Sequence, residues 1–376
     1  MEEKDNPVKV HKLELLGIGA SMDRQLKANL LQALWQLGLD IPVEEVREID
    51  RLLESGVSGI PALIVNGQVV IQKVVPTVEE LRLLLFALLK MPGQKVNIRN
   101  IIVPTDFSET ANNAYRYALD LAGFLGANVR LVHVYQPKSD MSGARLMNGV
   151  SEELHYKQEL LESLSHSEKV LVAGPRNKPA TQVQPEMING FVADELCALS
   201  RRKDTDLIVM GTTGEAKLLE RWLGSISTEV ARKASCPVIL VPRHSRFKPI
   251  DQMLYACDYQ RQGEAILEKV VGFAAAFDAM VHLLHVSTSR SPNPNGPAAA
   301  SGSNILDLDG IKMKMYKSHH SDVLEGIARH ANETHPGLIA MGTYHRSFLE
   351  DIFHKKLTRE MAFITSVPLI VFHEED

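Results

Sequence analysis

Between Met210 and Ser227 the chain places glycines and hydroxyls at intervals suited to holding phosphate groups. Gly211 is followed after two residues by Gly214, and after nine more by Gly224 and Ser225, a G-x2-G-x9-G-S spacing. Glycine lets the main chain approach an anion closely, and amides at a helix amino terminus attract negative charge, so a triphosphate suits this pattern. Ser225, Ser227 and Thr228 add hydroxyl donors. The plain structural alternative is that the glycines only turn a strand into a loop and Ser225 only caps a helix.

Other reactive side chains are arranged less suggestively. Cys197, Cys236 and Cys257 lie far apart with no CxxC, which argues against a disulfide framework and against a thiolate metal site. They read as small buried apolar residues. His319, His320, His345 and His354 match no known ligand spacing, so no metal site is assigned. No catalytic constellation is visible, and no residue is assigned a catalytic role. The 41 basic residues are outnumbered by 46 acidic ones, for a net charge of −5, whereas a nucleic-acid or anionic-membrane binder is usually basic.

Those side chains need a frame. At 376 residues, and about 150 residues per domain, two to three domains are expected. Apolar runs such as Leu83 to Leu89 stop short of the roughly 18 residues of a membrane-spanning helix. The charged start MEEKDNPVKVHK lacks the apolar stretch of a secretory signal, so a cytoplasmic protein is expected.

The second half of the chain repeats the first. DLIVMGTTG from Asp206 returns as GLIAMGTYH from Gly337, and SCPVILVPRH from Ser235 as SVPLIVFHEE from Ser366, both at an offset of 131. Earlier, VPTD ending at Asp106 matches YACD ending at Asp258, and His133 matches His285, at an offset of 152, so 21 residues are missing from the middle of the second unit. Two homologous domains follow, 97–246 and 247–376, each reading as strand, helix, strand, long connection, strand, helix, strand, helix, strand. Ser108 begins a helix with Ala111, Ala114, Ala118, Leu121, Ala122 and Leu125 on one face, and NVRLVHV and DLIVM have the unbroken apolar character of parallel strands covered on both sides. The fold class is α/β, two doubly wound parallel sheets. Such sheets bind ligands beyond the carboxyl ends of their strands, where strand order reverses.

On PTDFS at 104–108, MGTTG at 210–214, GSIS at 224–227 and the closing CPVILVP, the first unit resembles the universal stress protein family. The resemblance implies an adenine nucleotide alpha-hydrolase-like fold with ATP between the first and fourth strands, and magnesium is expected with the triphosphate because its charge must be offset. The resemblance also implies that Asp106 and Val134 flank adenine and ribose, that Met210, Gly211, Gly214, Gly224, Ser225, Ile226 and Ser227 cradle ribose and phosphates, and that Pro104 is also a cofactor-binding residue. In the second unit Gly211 is kept as Gly342, but Gly214, Gly224 and Ser225 become His345, Lys355 and Lys356, so the same binding mode is expected to fail there. Asp258 survives.

Residues 8–92 follow another pattern. KLELLGIG reads as a strand, Met22 to Leu37 as a helix, and IPALIVNGQVVI places Asn66-Gly67 between apolar runs, a strong hairpin signal. Thr77 and Glu80 form a capping box for a helix through Leu89. Arranged as βαβαββα with Ile60-Pro61 entering the hairpin, this segment resembles the small thioredoxin-like family, which implies a cis proline. Ala20 and Asp23 stand where the family's cysteines would be, so dithiol chemistry is excluded and a redox-silent module for protein contact or domain packing remains. Trp35 reads as core.

MPGQKVN at 91–97 and RHSRFKP at 243–249 are linkers. SEELHYKQELLESLSHSEK in the first repeat reads as an amphipathic helix, and SRSPNPNGPAAASGSN from Ser289 as a low-complexity segment. PVILV at 237–241 and PLIVF at 368–372 are apolar edges that need a partner, and the family resemblance implies dimerisation there, so an internal pseudo-dimer is expected, with a homodimer possible beyond it. The leading reading is an ATP-binding stress-response module with slow or absent turnover, at most a weak ATPase. An ATP-pyrophosphatase-type enzyme and a ligand-free interaction scaffold are the alternatives.

Overall fold

A computed structural model describes residues 11–48, 51, 54–90, 95–136, 145–168, 180–212, 224–257, 264–288, 306–308, 311–343 and 366–374. The amino-terminal unit comprises strand β1 (Leu13–Leu16), helix α1 (Ser21–Gln36), β2 (Val43–Val46), the hairpin β3 (Ala62–Val65) and β4 (Gln68–Gln72), and α2 (Val78–Leu89). Its sheet runs β2-β1-β3-β4, with β1 parallel to β2 and antiparallel to β3. Asn66 and Gly67 both take positive φ, 51° and 82°, as a two-residue hairpin turn demands. Ile60-Pro61 is cis. The Thr77 hydroxyl accepts from the Glu80 amide while the Glu80 carboxylate accepts from the Thr77 amide, so the capping box forms. The second helix of the expected βαβαββα pattern falls partly outside the described residues.

Trp35 corrects the sequence reading, since it is 79% exposed. Leu26, Leu30, Ala33 and Leu34 form the buried stripe of α1. Trp35 is one residue beyond that stripe, so a 100° step carries its indole away from the core.

The first repeat contains β5 (Asn100–Pro104), α3 (Glu109–Leu125), β6 (Asn128–Tyr135), α4 (Arg145–Ser167), β7 (Val183–Asn189), α5 (Val192–Ser200), β8 (Leu207–Gly211), α6 (Ser225–Lys233) and β9 (Val238–Val241). The second contains β10 (Gln252–Ala256), α7 (Glu264–Ala275), β11 (Met280–Ser287), β12 (Leu306–Leu308), β13 (Ile311–His319), α8 (Val323–Thr334), β14 (Leu338–Gly342) and β15 (Leu369–Phe372). Among the described residues all these strands form one sheet, β12-β13-β11-β10-β14-β15-β9-β8-β5-β6-β7. Each repeat is parallel within itself, save the short β12, and the two are joined by antiparallel pairing of β15 with β9, Leu369 opposite Leu240 and Val371 opposite Val238. Either edge left open would offer a fully buried VILV or LIVF strand to a foreign chain.

The seam is also packed from one face. Phe124 of α3 stacks on Phe277 with centroids 5.3 Å apart and planes 10° apart, while Phe247 meets Tyr117 edge-on at 5.4 Å. Such pairs add roughly 0.5–1.5 kcal/mol beyond the area they bury. Phe247 lies within the linker between the repeats and is buried, so that linker belongs to the core. No described helix is long and apolar enough to cross a membrane.

Candidate functional site

Strand order reverses at β5. The chain moves from β5 outward to β6 and β7, then returns to place β8 on the other side of β5, Ile101 opposite Leu207. A crevice therefore opens beyond the carboxyl ends of β5 and β8, and the residues following both strands come together there.

After β5 the main chain makes a tight, side-chain-braced turn. The Thr105 amide donates to the Val132 carbonyl at 2.8 Å, the Thr105 hydroxyl accepts from the Phe107 amide at 3.0 Å, and the Asp106 carboxylate accepts from the Ser108 amide at 3.0 Å. Phe107 takes φ 65°, a left-handed conformation that costs a non-glycine residue on the order of 1 kcal/mol or more. The turn is held from below by His133. Its Nδ1 lies 2.8 Å from the Thr105 carbonyl oxygen, which can only accept, so Nδ1 carries the proton. Its ring lies 4.7 Å from that of Phe107. Nε2 is buried without a hydrogen-bond partner among the described residues, and burial pushes the imidazole below its usual pKa. Pro104 ends β5 half-buried, and Asp106 is exposed at the mouth of the crevice. Ser108 then caps α3 by accepting from the Ala111 amide.

After β8 the requirement is for a glycine. A Cβ on Gly211 would lie 2.8 Å from Thr110 Cγ2 and 3.1 Å from the Thr110 carbonyl oxygen, so the end of β8 rests directly on the first turn of α3. Ser227, buried on α6, donates to the Gly211 carbonyl at 2.8 Å. That hydroxyl anchors the helix to the strand and keeps only its acceptor side for other partners. The Gly224 amide donates to the Thr212 carbonyl at 2.6 Å.

The start of α6 differs from those of α2, α3 and α8. Gly224 is its N-cap at φ −75°, ψ 160°, with no side-chain cap. This conformation is open to any residue, so what Gly224 contributes is the lack of a side chain. The first-turn amides of Ser225, Ile226 and Ser227 meet no acceptor among the described residues, and Ser225 and Ile226 are exposed. Such amides are orphans that an anion can satisfy. Val134 and Met210 are buried, their side chains packed into the core on the α5 and α6 face of the sheet, so they can offer a ligand only main chain. Gly214 lies outside the described residues.

The second repeat reproduces the main-chain geometry. The Cys257 amide donates to the Leu284 carbonyl at 2.9 Å and His285 Nδ1 lies 3.2 Å from the Cys257 carbonyl oxygen, matching Thr105, Val132 and His133. The Thr343 amide donates to Phe372 at 3.0 Å, as Thr212 does to Val241 at 3.2 Å. Asp258, His345, His354, Lys355 and Lys356 lie outside the described residues. Sequence reasoning missed the part played by His133 and Phe107, although the recurrence of histidine at 133 and 285 was a signal available to it.

In the amino-terminal unit the loop after β1 closes on a carboxylate. The Ala20 amide donates to Asp23 at 2.8 Å, and Asp23 is buried. A Cβ on Gly17 would lie 2.4 Å from the Asp23 carboxyl carbon. The position that would need a thiol is thus built around a helix-capping carboxylate.

Comparison with known proteins accords with this geometry. Residues 97–242 match the universal stress protein family and residues 14–86 a thioredoxin domain. Universal stress protein Slr1230 of Synechocystis is 27% identical over 297 residues, which span 73% of this chain and all of that protein. Universal stress protein MJ0531 of Methanocaldococcus jannaschii is 31% identical over 147 residues, 39% of this chain and 82% of its own length. A crystal structure of a universal stress protein from Archaeoglobus fulgidus superposes with a TM-score of 0.50 at 18% identity, covering 74% of this chain and 97% of that one, which supports the fold of the paired repeats. The chain belongs to the universal stress protein family, with a thioredoxin-like domain at its amino-terminal end.

Proposed function

We propose that the first repeat binds one ATP with magnesium and that the chain acts in the cytoplasm as a nucleotide-dependent stress-response module, with turnover slow or absent. The observation that carries this reading is the α6 amino terminus. It opens at the switch point with no side-chain cap, and its first amides lack acceptors among the described residues. The donor set suits a polyphosphate, namely main-chain amides of Ser225, Ile226 and Ser227 and the Ser225 hydroxyl, reached past Gly224, which has no side chain, and the end of β8 at Gly211, with Gly214 expected to add to them. Asp106, at the end of β5, would take the ribose side, and Pro104 and the main chain at Val134 and Met210 would line the base and sugar. Magnesium would offset the triphosphate charge and be held through the phosphates, since no group of three or more potential ligand side chains occurs among the described residues.

Calorimetric titration with ATP tests the reading. One site per chain is expected, lost in Gly224→Lys, which places a side chain in the anion's approach, and weakened by chelation of magnesium. Two sites, or undiminished binding by Gly224→Lys, would count against it. Absence of any binding would favour the ligand-free scaffold.

A further inference from the structure

The thioredoxin-like unit occupies a place that the two repeats fill differently. In the first repeat, α4 lies between β6 and β7 in sequence and covers one face of the sheet. Leu161 is buried in the core on that face, the Tyr115 hydroxyl of α3 donates to the Ser165 carbonyl at 3.3 Å, and Arg116 of α3 pairs with Glu168 at 2.7 Å. The second repeat has lost the chain length that made this helix, and β11 is joined to β13 through a much shorter connection.

Helix α2 of the thioredoxin-like unit lies against the corresponding elements. Arg82 pairs with Glu264 at the start of α7, the counterpart of α3. Lys317 of β13, the counterpart of β7, reaches Glu80 at 3.0 Å. The registers of β6 with β7 and β11 with β13 place Lys317 at the position of Met187, which packs on the face that α4 covers. Residues 95 and 96 also lie against α7 and the residues that follow it, the Val96 amide donating to the Gly272 carbonyl at 3.0 Å and Lys95 pairing with Asp278 at 3.1 Å.

The residues of α2 agree with this placement. Leu81, Leu83, Leu84, Leu85 and Ala87 are all buried, and at about 100° per residue they span an arc of about 200°, more than half of the helix. A helix buried over more than half its circumference must be covered on more than one side, and the small sheet with α1 supplies only one cover. Leu81 and Leu85 of α2 share one continuous apolar cluster with Val270, Phe273 and Ala274 of α7.

We infer that the thioredoxin-like unit is the intramolecular cover of the second repeat, its helix α2 standing in for α4, which has no counterpart among the described residues of that repeat. Its docking partner is therefore α7 and β13 of its own chain, and recruitment of a foreign protein through α2 would require this face to be uncovered first.

Hydrogen exchange on the full chain provides the test. In Arg82→Glu, where a partly buried ion pair becomes two facing carboxylates, amides of α7 and β13 are expected to exchange roughly fivefold faster or more, while Leu13 to Leu16 of β1 keep their protection. The exchanged pair Arg82→Glu with Glu264→Arg is expected to restore wild-type rates, which separates docking from a general folding defect. Rates in α7 and β13 that stay at wild type in Arg82→Glu would overturn the inference. A second measurement uses a full chain carrying a protease site at 91–94. After cleavage the two pieces are expected to co-elute in gel filtration with α7 and β13 still protected. Pieces that part while α7 and β13 remain as protected as in the uncut chain would overturn it as well.

Discussion

The same structural position is solved differently in the two repeats, and the difference shows where homologous halves are free to diverge. In the first, Arg130 of β6 donates to Glu186 of β7 through Nε at 3.2 Å and a second nitrogen at 2.6 Å, with Asp204 3.6 Å away. In the second, the registers put His282 and Tyr316 in those places. Their rings stack at 5.2 Å, and His330 of α8 closes on Tyr316 at 4.3 Å. Neither nitrogen of His282, nor Nε2 of His330, has a hydrogen-bond partner among the described residues. Main-chain bonds at the two switch points agree to within a few tenths of an ångström, because the sheet itself imposes them. Side-chain solutions are not imposed, and where one repeat has an ion pair the other has an aromatic stack whose imidazoles burial holds below their usual pKa.

The largest effect is expected when the charge of one solution is put into the other. His282→Arg would bury a guanidinium beside Lys314 with Tyr316 in the place that Glu186 takes in the first repeat, and a loss of roughly 3–5 kcal/mol in denaturant unfolding is expected. Adding Tyr316→Glu, which rebuilds the ion pair of the first repeat, should recover part of that loss. No recovery would mean that the two positions are not equivalent.

Close packing at the switch point gives the next largest effect. Gly211→Val forces a side chain against the Thr110 backbone and is expected to cost about 1–3 kcal/mol and to abolish nucleotide binding. Full stability in this variant would show that β8 does not rest on α3.

Acid should then distinguish the repeats. Burial holds His282 down to about 4, and it lowers His330 too. The groups that face this pair are each other, Tyr316 and Lys314 from β13, and Glu333 from α8. Above the unfolded value near 6.5 both states are neutral, so stability is independent of this pair. As pH falls from about 6.5 towards 4 the unfolded chain takes up protons that the folded chain refuses, and stability declines, levelling off below the folded value. At pH 5 the loss attributable to His282 is about 2 kcal/mol as an upper figure. His282→Phe should flatten that part of the profile, and an unchanged profile would remove His282 as its source.

The smallest effect concerns helix starts. Ser108→Ala removes the acceptor for the Ala111 amide and should cost about 1 kcal/mol. α6 has no side-chain cap to lose, so Ser225→Ala should leave stability within about 0.5 kcal/mol while weakening ATP binding. Equal stability losses in the two variants would show that Ser225 is a structural residue.

Much of this architecture was legible in the sequence because local chemistry carries it. Asn66-Gly67 fixes the hairpin, Thr77 with Glu80 and Ser108 start their helices, and apolar strands ending each repeat require partners, which they find in each other. The candidate site is offered by the sequence as glycine and serine spacing, of which the structure describes Gly211, Gly224, Ser225 and Ser227. Its inner workings were not legible. Ser227 reads as a phosphate donor, yet its hydroxyl holds Gly211, and Val134 and Met210 read as ligand contacts although their side chains are buried.

The repeat, the parallel α/β units, the hairpin and helix caps, and the absence of a thiol at Ala20 follow from residue order alone, because they depend on periodicity, residue type or neighbours within about four positions. Only the tertiary structure decided that Phe107 turns left-handed over His133, that Phe247 joins Phe124 and Phe277 in the seam, and that α2 covers α7. Each of these joins residues separated by tens to hundreds of positions, and the free energy that selects them comes from shared burial, which no single segment encodes.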